Sequence, residues 1–588
     1  MAKTGGTRRG LAFRGVLPLR ARSRAGLLTG AALALALLGP LLGAGFVLVR
    51  DMVFVPRLPL SGALLGLDGV PRAVPSDLLV ALASRVVPGG LLQDLVLVAV
   101  VLGGAWGAGR LAPVGSRWGA AAAATAYGWS AYLHERLLLG QWALLVGWAV
   151  LPWAVRAALD WRAGVDGAGT RTVGALAVAA CGGASSGLLV ALTALLCAAL
   201  PGRAGSVRRG GLLAGATVVL ALPWLVPALL APGGAAPGDP AGVAAFAADA
   251  DTPFGVLGSL LTSGGIWAPA AVPPGRSAGV VAAVLVLLLA VAGLPRLRAG
   301  LAGSGALAVA AGTGLLLAGA GRVPGLDDVL RTAVVQVPGA GLLRDGQKWV
   351  APLSLLVAVA AGCGTDAVRA QLPAAPRLAR LASALCVLAP LAALPGAAWA
   401  QSGRLQVSRY PDEWARTARA VDAHPAAGPV VVLPWTLYRA FPWTADRVVL
   451  DPAPRWVARR TVVDDDLPLA GLQVGGEDPL AARLDAAAMG GEPLLPVLRE
   501  VGAALVLVER TTRGADPAVL ERQVSGLEPV TSGPELTLYA VPGGGREPQR
   551  APLAPALAGD LAAALLGGAA ALRVLRRRTG GATDPART

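Results

Sequence analysis

The stretch GLLTGAALALALLGPLLGAGFVLV, residues 26–49, is an unbroken apolar run that ends at Arg50 and Asp51. Residues 1–25 before it contain six arginines and no acid. About 20 apolar residues are enough to cross a bilayer, and a run of this length exceeds the apolar part of a signal peptide. Because basic segments stay in the cytoplasm, the run predicts a retained first transmembrane helix preceded by a cytoplasmic N-terminus.

The composition extends this prediction to most of the chain. It has 588 residues, of which 55% are hydrophobic and 15% charged, and its mean hydropathy is +0.62. Soluble proteins are usually about 25% charged, so much of this apolar surface must face lipid. The net charge of +16 comes from arginines at both ends and in short loops. That distribution predicts contact with lipid headgroups and excludes a nucleic-acid partner, because no basic-aromatic face or known module accompanies it.

The apolar segments predict a polytopic α-helical protein of the cell membrane with about twelve transmembrane helices and both termini in the cytoplasm. The membrane domain covers residues 26–398 with a first outer loop at 50–90, followed by a last span at 551–572 and a basic cytoplasmic tail at 573–588. Segment 172–200 has basic flanks on both sides, which favours two short crossings over one tilted span. The other predicted spans lie at residues 91–108, 117–133, 141–158, 210–231, 277–294, 300–320, 347–364 and in a segment that ends near 398.

Residues 399–550 differ in character from the rest, since acids and tryptophans become frequent. Short β-like runs occur at 430–433 and 504–508, and helix-like segments at 411–422 and 478–488. Mixed strands and helices of this length predict a small α/β domain. Its place between two predicted spans puts it outside the cytoplasm.

Asp51 is the first candidate catalytic residue. It lies where the predicted first span meets the outer surface, beside Arg50, whose charge favours the ionised carboxylate. A carboxylate at such a position can act as a general base toward a hydroxyl acceptor. An ordinary interfacial charge pair is the alternative interpretation.

A second group of candidates lies in the predicted outer loop 134–140. Glu135 could hold a sugar or a divalent cation, and Arg136 could hold a phosphate. Asp249 and Asp251 form a further acidic pair in the predicted outer loop 232–276. Ordinary helix-end or solvated charges are the alternative in each case.

The third group is Arg344-Asp345-Gly346-Gln347-Lys348-Trp349 at the outer end of a later span. Arg344 and Lys348, one helical turn apart, could face one anion together, with Trp349 marking the membrane interface. Lys348 is one of only two lysines in a chain that otherwise uses arginine. A lipid phosphate at headgroup depth is therefore the predicted ligand of Arg344 and Lys348, and simple snorkelling toward headgroups is the alternative.

Two familiar motifs are excluded by their context. Residues 183–187 fit the G-x-S-x-G pattern, but they lie in an apolar segment without the strand and the histidine that a serine nucleophile needs. The residues around Lys348 lack the spacing of a Walker A loop, which argues against an ATP-driven pump.

These motifs resemble those of the GT-C superfamily of integral membrane glycosyltransferases. Asp51 falls where that superfamily has an essential acid in the first outer loop. Residues 135–142, with the pattern E-R-L-L-x-G-x-W, and residues 344–348 look like motifs of related bacterial membrane proteins, and mycobacterial arabinofuranosyltransferases are similar in style. Only a single acid, Asp51, follows the first span, where a pair of acids would favour a metal. The resemblance therefore leaves open whether a divalent cation is a cofactor.

The resemblance implies a glycosyltransferase that uses a polyprenyl-phosphate-linked sugar on the extracytoplasmic face, with a cell-surface glycan or protein as acceptor. Asp51 would be the base, while Glu135, Arg136, Arg344, Asp345 and Lys348 would bind substrate. The alternative hypothesis is a non-enzymatic membrane protein, either a lipid-glycan transporter or an assembly partner.

Overall fold

The computed structural model describes residues 19–231, 238–337, 339–469 and 472–580. Most of the predicted basic N-terminus and half of the predicted basic tail lie outside the described residues.

The described membrane domain is a helical assembly. Its helices are α1 (Leu19–Leu38), α2 (Ser76–Ala83), α3 (Gly89–Leu111), α4 (Arg117–Gly128), α5 (Ala131–Leu138), α6 (Trp142–Arg162), α7 (Ala168–Ala180), α8 (Gly183–Ala199), α9 (Ser206–Leu230), α10 (Ala241–Ala245), α11 (Gly255–Leu261), α12 (Val280–Gly300), α13 (Ser304–Gly319), α14 (Leu326–Gln336), α15 (Ala351–Ala370), α16 (Pro376–Ala393) and α17 (Ala398–Gly403). The α/β domain contributes α18 (Asp412–Ala423), α19 (Ala453–Trp456), α20 (Pro479–Gly490), α21 (Leu495–Glu500) and α22 (Pro517–Gln523), and α23 (Leu553–Gly580) follows it.

Nine helices among the described residues are long and apolar enough to cross a membrane. They are α1, α3, α6, α9, α12, α13, α15, α16 and α23. The shorter helices α4, α7 and α8 occupy the remaining predicted spans. The prediction of a polytopic α-helical membrane protein is confirmed.

Segment 172–200 forms two helices rather than one tilted span. Helices α7 and α8 have 13 and 17 residues, and Cys181 and Gly182 join them. A β-carbon on Gly182 would lie 2.2 Å from the carbonyl oxygen of Ala143, and Gly183 has a φ of +82°. The turn therefore needs two glycines, which explains why the apolar run breaks there.

The first span differs from its prediction. The helix begins at Leu19 and its apolar spanning segment ends at Leu41, whereas the apolar run continues to Val49. Gly39 and Pro40 end the regular helix, and the positive φ angles of Gly43 and Gly45 turn the chain into extended structure. Asp51 therefore lies beyond the helix, in a tight turn that Val49 and Met52 close by pairing with each other, and not at the helix end.

The α/β domain has a five-stranded mixed sheet in the order β10-β11-β9-β3-β6. Strand β3 is parallel to β6 and β9, and β11 is antiparallel to β9 and β10. Its two central parallel strands are buried along their whole length, which is why their sequences are continuous apolar runs. The predicted α/β domain is thus confirmed. The strands are β1 (Phe46–Val47), β2 (Val407–Ser408), β3 (Val430–Leu433), β4 (Tyr438–Ala440), β5 (Val448–Leu450), β6 (Thr461–Val462), β7 (Leu467–Leu469), β8 (Leu472–Val474), β9 (Leu505–Glu509), β10 (Glu528–Ser532) and β11 (Leu536–Ala540).

The segment after α1 is built into the α/β domain by backbone pairing. Strand β1 pairs antiparallel with β2. The Arg50 N–H donates to the Val448 carbonyl at 2.7 Å, and the Leu450 N–H donates to the Arg50 carbonyl at 2.8 Å. An ion pair of 3.0 Å between Asp77 and Arg455 joins α2 to the same domain. Asp51 consequently lies at the junction of the two domains.

Candidate functional site

The backbone of Asp51 rests on the turn between α5 and α6. Its N–H donates to the carbonyl of Leu139 at 3.2 Å. Gly140 follows with a φ of +75°, and a β-carbon there would lie 2.3 Å from both the Met52 nitrogen and the Val49 oxygen. Only glycine allows this close approach. The glycine of the E-R-L-L-x-G-x-W motif thus supports the segment that carries Asp51.

Both domains hold the side chain of Asp51. The Tyr438 hydroxyl, on β4 of the α/β domain, donates to Asp51 Oδ1 at 2.7 Å. The side-chain amide of Gln141, in the membrane domain, also hydrogen-bonds the carboxylate. Burial raises the pKa of Asp51, while these hydrogen bonds and the charges of Arg50 and Arg455 only partly oppose the rise. A carboxylate with a raised pKa is better suited to accept a proton near neutral pH.

Arg136 makes a closed set of contacts with protein groups. Its Nε donates to Gln347 Oε1 at 2.9 Å, and its Nη2 donates to Gln347 Oε1 at 2.5 Å and Asp345 Oδ1 at 2.9 Å. Its Nη1 donates to Gln141 Oε1 at 2.6 Å and also to Asp345 Oδ2. A guanidinium has five N–H donors, and all five are engaged. Arg136 has no donor left for a substrate phosphate, contrary to the sequence-based expectation.

Asp345 is likewise committed to Arg136. Burial alone would raise the pKa of Asp345, but the charge and the hydrogen bonds of Arg136 outweigh burial and lower it. The carboxylate is therefore ionised and paired. The structure gives Asp345 the role of fixing Arg136 rather than that of binding a ligand directly.

Glu135 is fully buried on α5 instead of lying in an open loop. Its Oε2 accepts from Gln347 Nε2 at 2.8 Å. Burial raises the pKa of Glu135 well above its usual range, and the neighbouring Asp251 raises it further. Burial would also raise the pKa of Asp251, but the charge of Arg276, 3.3 Å away, and the hydrogen bond from Glu135 lower it. Burial and the neighbouring carboxylate thus favour the neutral form of Glu135.

This network takes the place of the cation site that the acids suggested. Among the described residues, no three His, Cys, Asp or Glu side chains come together to hold a metal ion. Asp251 instead pairs with Arg276 at 3.3 Å, and Glu135 accepts from Gln347. A continuous chain of hydrogen bonds runs from Asp51 through Gln141, Arg136 and Gln347 to this acidic pair.

Lys348 is buried but lacks an ionic partner. It is 5% exposed, and its Nζ donates to the Ser185 hydroxyl on α8 at 3.2 Å. The ammonium lies 5.6 Å from the ring centre of Trp349, and the Tyr132 hydroxyl holds the Lys348 carbonyl at 3.0 Å. In the described ranges no carboxylate forms an ion pair with it, since Asp345 pairs with Arg136. The charge of Asp345 acts on Lys348 only from beyond ion-pair distance. A buried ammonium without a carboxylate in direct contact favours an incoming anion.

An apolar groove lies beside Ser185, between α7, α8 and α9. It encloses about 280 Å³, its open side included. Gly183, Ala184 and Gly187, which surround Ser185 in sequence, form one wall, and Trp224 on α9 lies opposite. Small side chains on a membrane helix leave room for a chain-like ligand. Ser185 and Lys348 are not among the residues that line the groove.

Arg344 does not join Lys348. It pairs with Glu477 of the α/β domain at 3.5 Å and lies 5.8 Å from the ring centre of Phe246. The expectation assumed one continuous helix, but short 3₁₀ helices end at Leu343 and begin again at Gly346. The break turns the two cations toward different partners.

Sequence reasoning missed three residues of this network. Gln141 and Gln347 lie inside the two quoted motifs, so their amides were visible but their role as bridges was not. Tyr438 lies 387 residues from Asp51, and no local pattern marks it.

No protein-family model and no curated protein matches the chain. Its structure is similar to the cryo-EM structure of the arabinofuranosyltransferase AftD from Mycobacteria. The TM-score is 0.56 at 17% identity, covering 91% of this chain and 40% of that chain. A mutant form of AftD gives a TM-score of 0.57 at 17% identity, over 90% of this chain and 42% of that one. This chain therefore spans about two fifths of the length of AftD, and over that part it shares the fold of the AftD structure.

Proposed function

We propose that this chain is a membrane glycosyltransferase of cell-envelope glycan assembly. It transfers a sugar, with arabinofuranose as the first candidate, from a polyprenyl-phosphate donor to a hydroxyl of a glycan or protein. The reaction takes place on the extracytoplasmic face, where the positive-inside distribution of arginines puts Asp51 and the α/β domain. Both termini are then cytoplasmic.

The observation that carries this proposal is the position of Asp51 at the domain junction. Tyr438 and Gln141 orient its carboxylate, and burial raises its pKa. Asp51 takes the proton of the acceptor hydroxyl while the acceptor oxygen bonds to the sugar carbon that carried the phosphate. The bond from that carbon to the phosphate breaks, and the polyprenyl phosphate leaves with the electron pair.

Lys348 is the proposed partner of the leaving phosphate. Negative charge grows on the phosphate in the transition state, so a fixed, desolvated ammonium stabilises that state more than the bound donor. The groove between α7, α8 and α9 shares helix α8 with the Lys348–Ser185 contact and would hold part of the isoprenoid chain. Arg136 and Asp345 act as positioning residues that hold the segment of Lys348 in place.

We expect Lys348→Met to lower sugar transfer about 100-fold, as the loss of one group that stabilises developing charge does in other enzymes. The measurement is transfer of labelled arabinofuranose from its polyprenyl-phosphate donor by purified protein in nanodiscs. Arg344→Met is the matched control and should change the rate much less, because Arg344 pairs with Glu477. Equal losses in both variants would mean that the two cations share the phosphate after all. An unchanged rate in Lys348→Met would remove Lys348 from the site.

We expect Tyr438→Phe to move the acid limb of the pH–rate profile to higher pH. Burial raises the pKa of Asp51 and the hydrogen bond from Tyr438 lowers it, so removal of the hydroxyl raises the pKa further. A base must be ionised to act, and activity is lost as pH falls through its pKa. The profile of kcat/KM against pH tests this, with Tyr539→Phe on β11 as control. A limb that stays in place, or moves to lower pH, would separate Tyr438 from the titrating group.

A further inference from the structure

A second cavity in the membrane domain lies away from Asp51 and Lys348. It is bounded by the joint between α4 and α5, by α12, by α15 and by α16, and it encloses about 420 Å³ with its mouth included. Val286, Val357 and Pro390 give it apolar walls. The neighbouring Leu288 of α12 and Leu388 of α16 are 58% and 51% exposed, so these helices present apolar faces to lipid beside the cavity.

Three polar side chains line this cavity without satisfying all of their hydrogen bonds. Ser130 Oγ, Ser354 Oγ and Arg276 Nε are buried atoms with no partner, and the three residues are 7%, 2% and 3% exposed. Leaving such atoms unpaired costs about 1–3 kcal/mol each. Three unpaired polar atoms in one cavity indicate a binding site for a polar ligand group.

The two serines also depart from how hydroxyls behave elsewhere in this protein. Ser383 on α16 and Thr365 on α15 donate to the carbonyl four residues earlier, at 2.7 and 3.0 Å. Ser354 makes no such bond, although it lies on the same helix as Thr365. Ser130 occupies the position before α5, where a serine usually caps the helix, yet its side chain makes no capping bond. Both hydroxyls therefore remain available to the cavity.

We propose that this cavity binds a phospholipid of the surrounding bilayer, whose phosphodiester accepts hydrogen bonds from Arg276, Ser130 and Ser354. All three groups can donate, which selects an oxyanion, and the apolar walls select a lipid chain over a free ion. Arg276 also pairs with Asp251, so the site supplies one shared cation. A phosphodiester carries a single charge and suits that site better than the doubly charged phosphate of a polyprenyl monophosphate.

This site is separate from the proposed donor site. Lys348, just before α15, contacts α8, whereas Ser354 of α15 lines the cavity against α12 and α16. Asp251 and Glu135 connect Arg276 to the network that ends at Asp51. The bound lipid would thus fix one end of the network that positions the catalytic carboxylate.

The test is native mass spectrometry of the delipidated full-length protein titrated with phosphatidylglycerol. We expect the wild type to bind one molecule with high affinity and Ser130→Ala/Ser354→Ala to bind it about tenfold more weakly or worse, because hydrogen bonds to a charged group are strong. Ser383→Ala/Thr365→Val removes two buried hydroxyls of the same helix pair outside the cavity and is the matched control. Ala283→Leu, which fills the cavity from α12, should exclude the lipid without touching its polar groups.

The outcomes separate the sources of phosphate and the two proposals. If inorganic phosphate alone displaces phosphatidylglycerol, the cavity is a site for an anion and not for a lipid. If a polyprenyl monophosphate binds more tightly than phosphatidylglycerol, the cavity is a donor site. Either result overturns the assignment. The assignment is also overturned if the control variant binds phosphatidylglycerol as weakly as the serine variant does. It is overturned as well if neither cavity variant weakens this binding. The Asp51→Asn variant should still bind phosphatidylglycerol. A failure of the transferase proposal can therefore be distinguished from a failure of the lipid-site proposal.

Discussion

Asp51→Asn is expected to lower sugar transfer by about 100-fold to 10,000-fold, the usual contribution of a general base. Asparagine has the same shape and can still accept from Tyr438, but it cannot take a proton from the acceptor hydroxyl. The loss should appear in the rate of the bound complex more than in donor affinity, because Asp51 acts in the transition state. Initial rates at saturating donor, with protein in nanodiscs, provide the measurement.

Asp77→Asn is the matched control for this variant. Asp77 lies in the same loop and pairs with Arg455 of the α/β domain, but it does not contact Asp51 through any observed hydrogen bond. It should keep activity within about threefold, because asparagine can still accept a hydrogen bond from Arg455 and Asp77 has no part in the proton transfer. Full activity in a correctly inserted Asp51→Asn protein would show that Asp51 is not the base. A loss of equal size in Asp77→Asn would point to the domain interface instead.

Arg136→Met is expected to be the most destabilising single change considered for this protein. Arg136 is completely buried, and its removal leaves the Asp345 carboxylate without its paired cation and the oxygens of Gln141 and Gln347 without donors. Breaking a buried pair in this way costs about 3–5 kcal/mol. Since native proteins are stable by only about 5–15 kcal/mol, we expect a large fall in the melting temperature measured in detergent.

The double variant Arg136→Met/Asp345→Leu tests the reason for that fall. It removes both charges, so it should be more stable than Arg136→Met alone although it carries one more substitution. Arg513→Met breaks an exposed ion pair with Asp446 and should leave the melting temperature nearly unchanged. If Arg136→Met melts like Arg513→Met, the buried network does not hold the membrane domain together.

Local pattern predicted most of the architecture. Helices need one long apolar run each, and the arginines mark the loops, so the membrane domain and the last span could be located from residues alone. The continuous apolar runs of β3 and β9 likewise revealed the α/β domain. The first span was the exception, because the apolar run continues past the end of the helix. Residues 46–49 are buried where β1 pairs with β2, whereas residues 42–44 are exposed.

The candidate site was predicted in its parts but not in its arrangement. Asp51 and Lys348 were identified from position and composition, and each has the burial that its proposed role requires. Glu135 and Arg136 were expected in an open loop, because a short helix between two spans looks like a loop in sequence. Asp345 instead neutralises Arg136, and burial and the neighbouring Asp251 raise the pKa of Glu135. Both aspartates lie more than 100 residues away in sequence.

The sequence by itself determined that this is a multispanning membrane protein with an α/β domain, since these properties follow from apolar length and charge distribution. Only the tertiary structure decided which polar groups meet. Tyr438 reaches Asp51, Gln141 bridges to Arg136, and Arg344 turns away from Lys348. Hydrogen bonds depend on distances of about 3 Å between atoms, and positions far apart in a chain carry no local record of that distance.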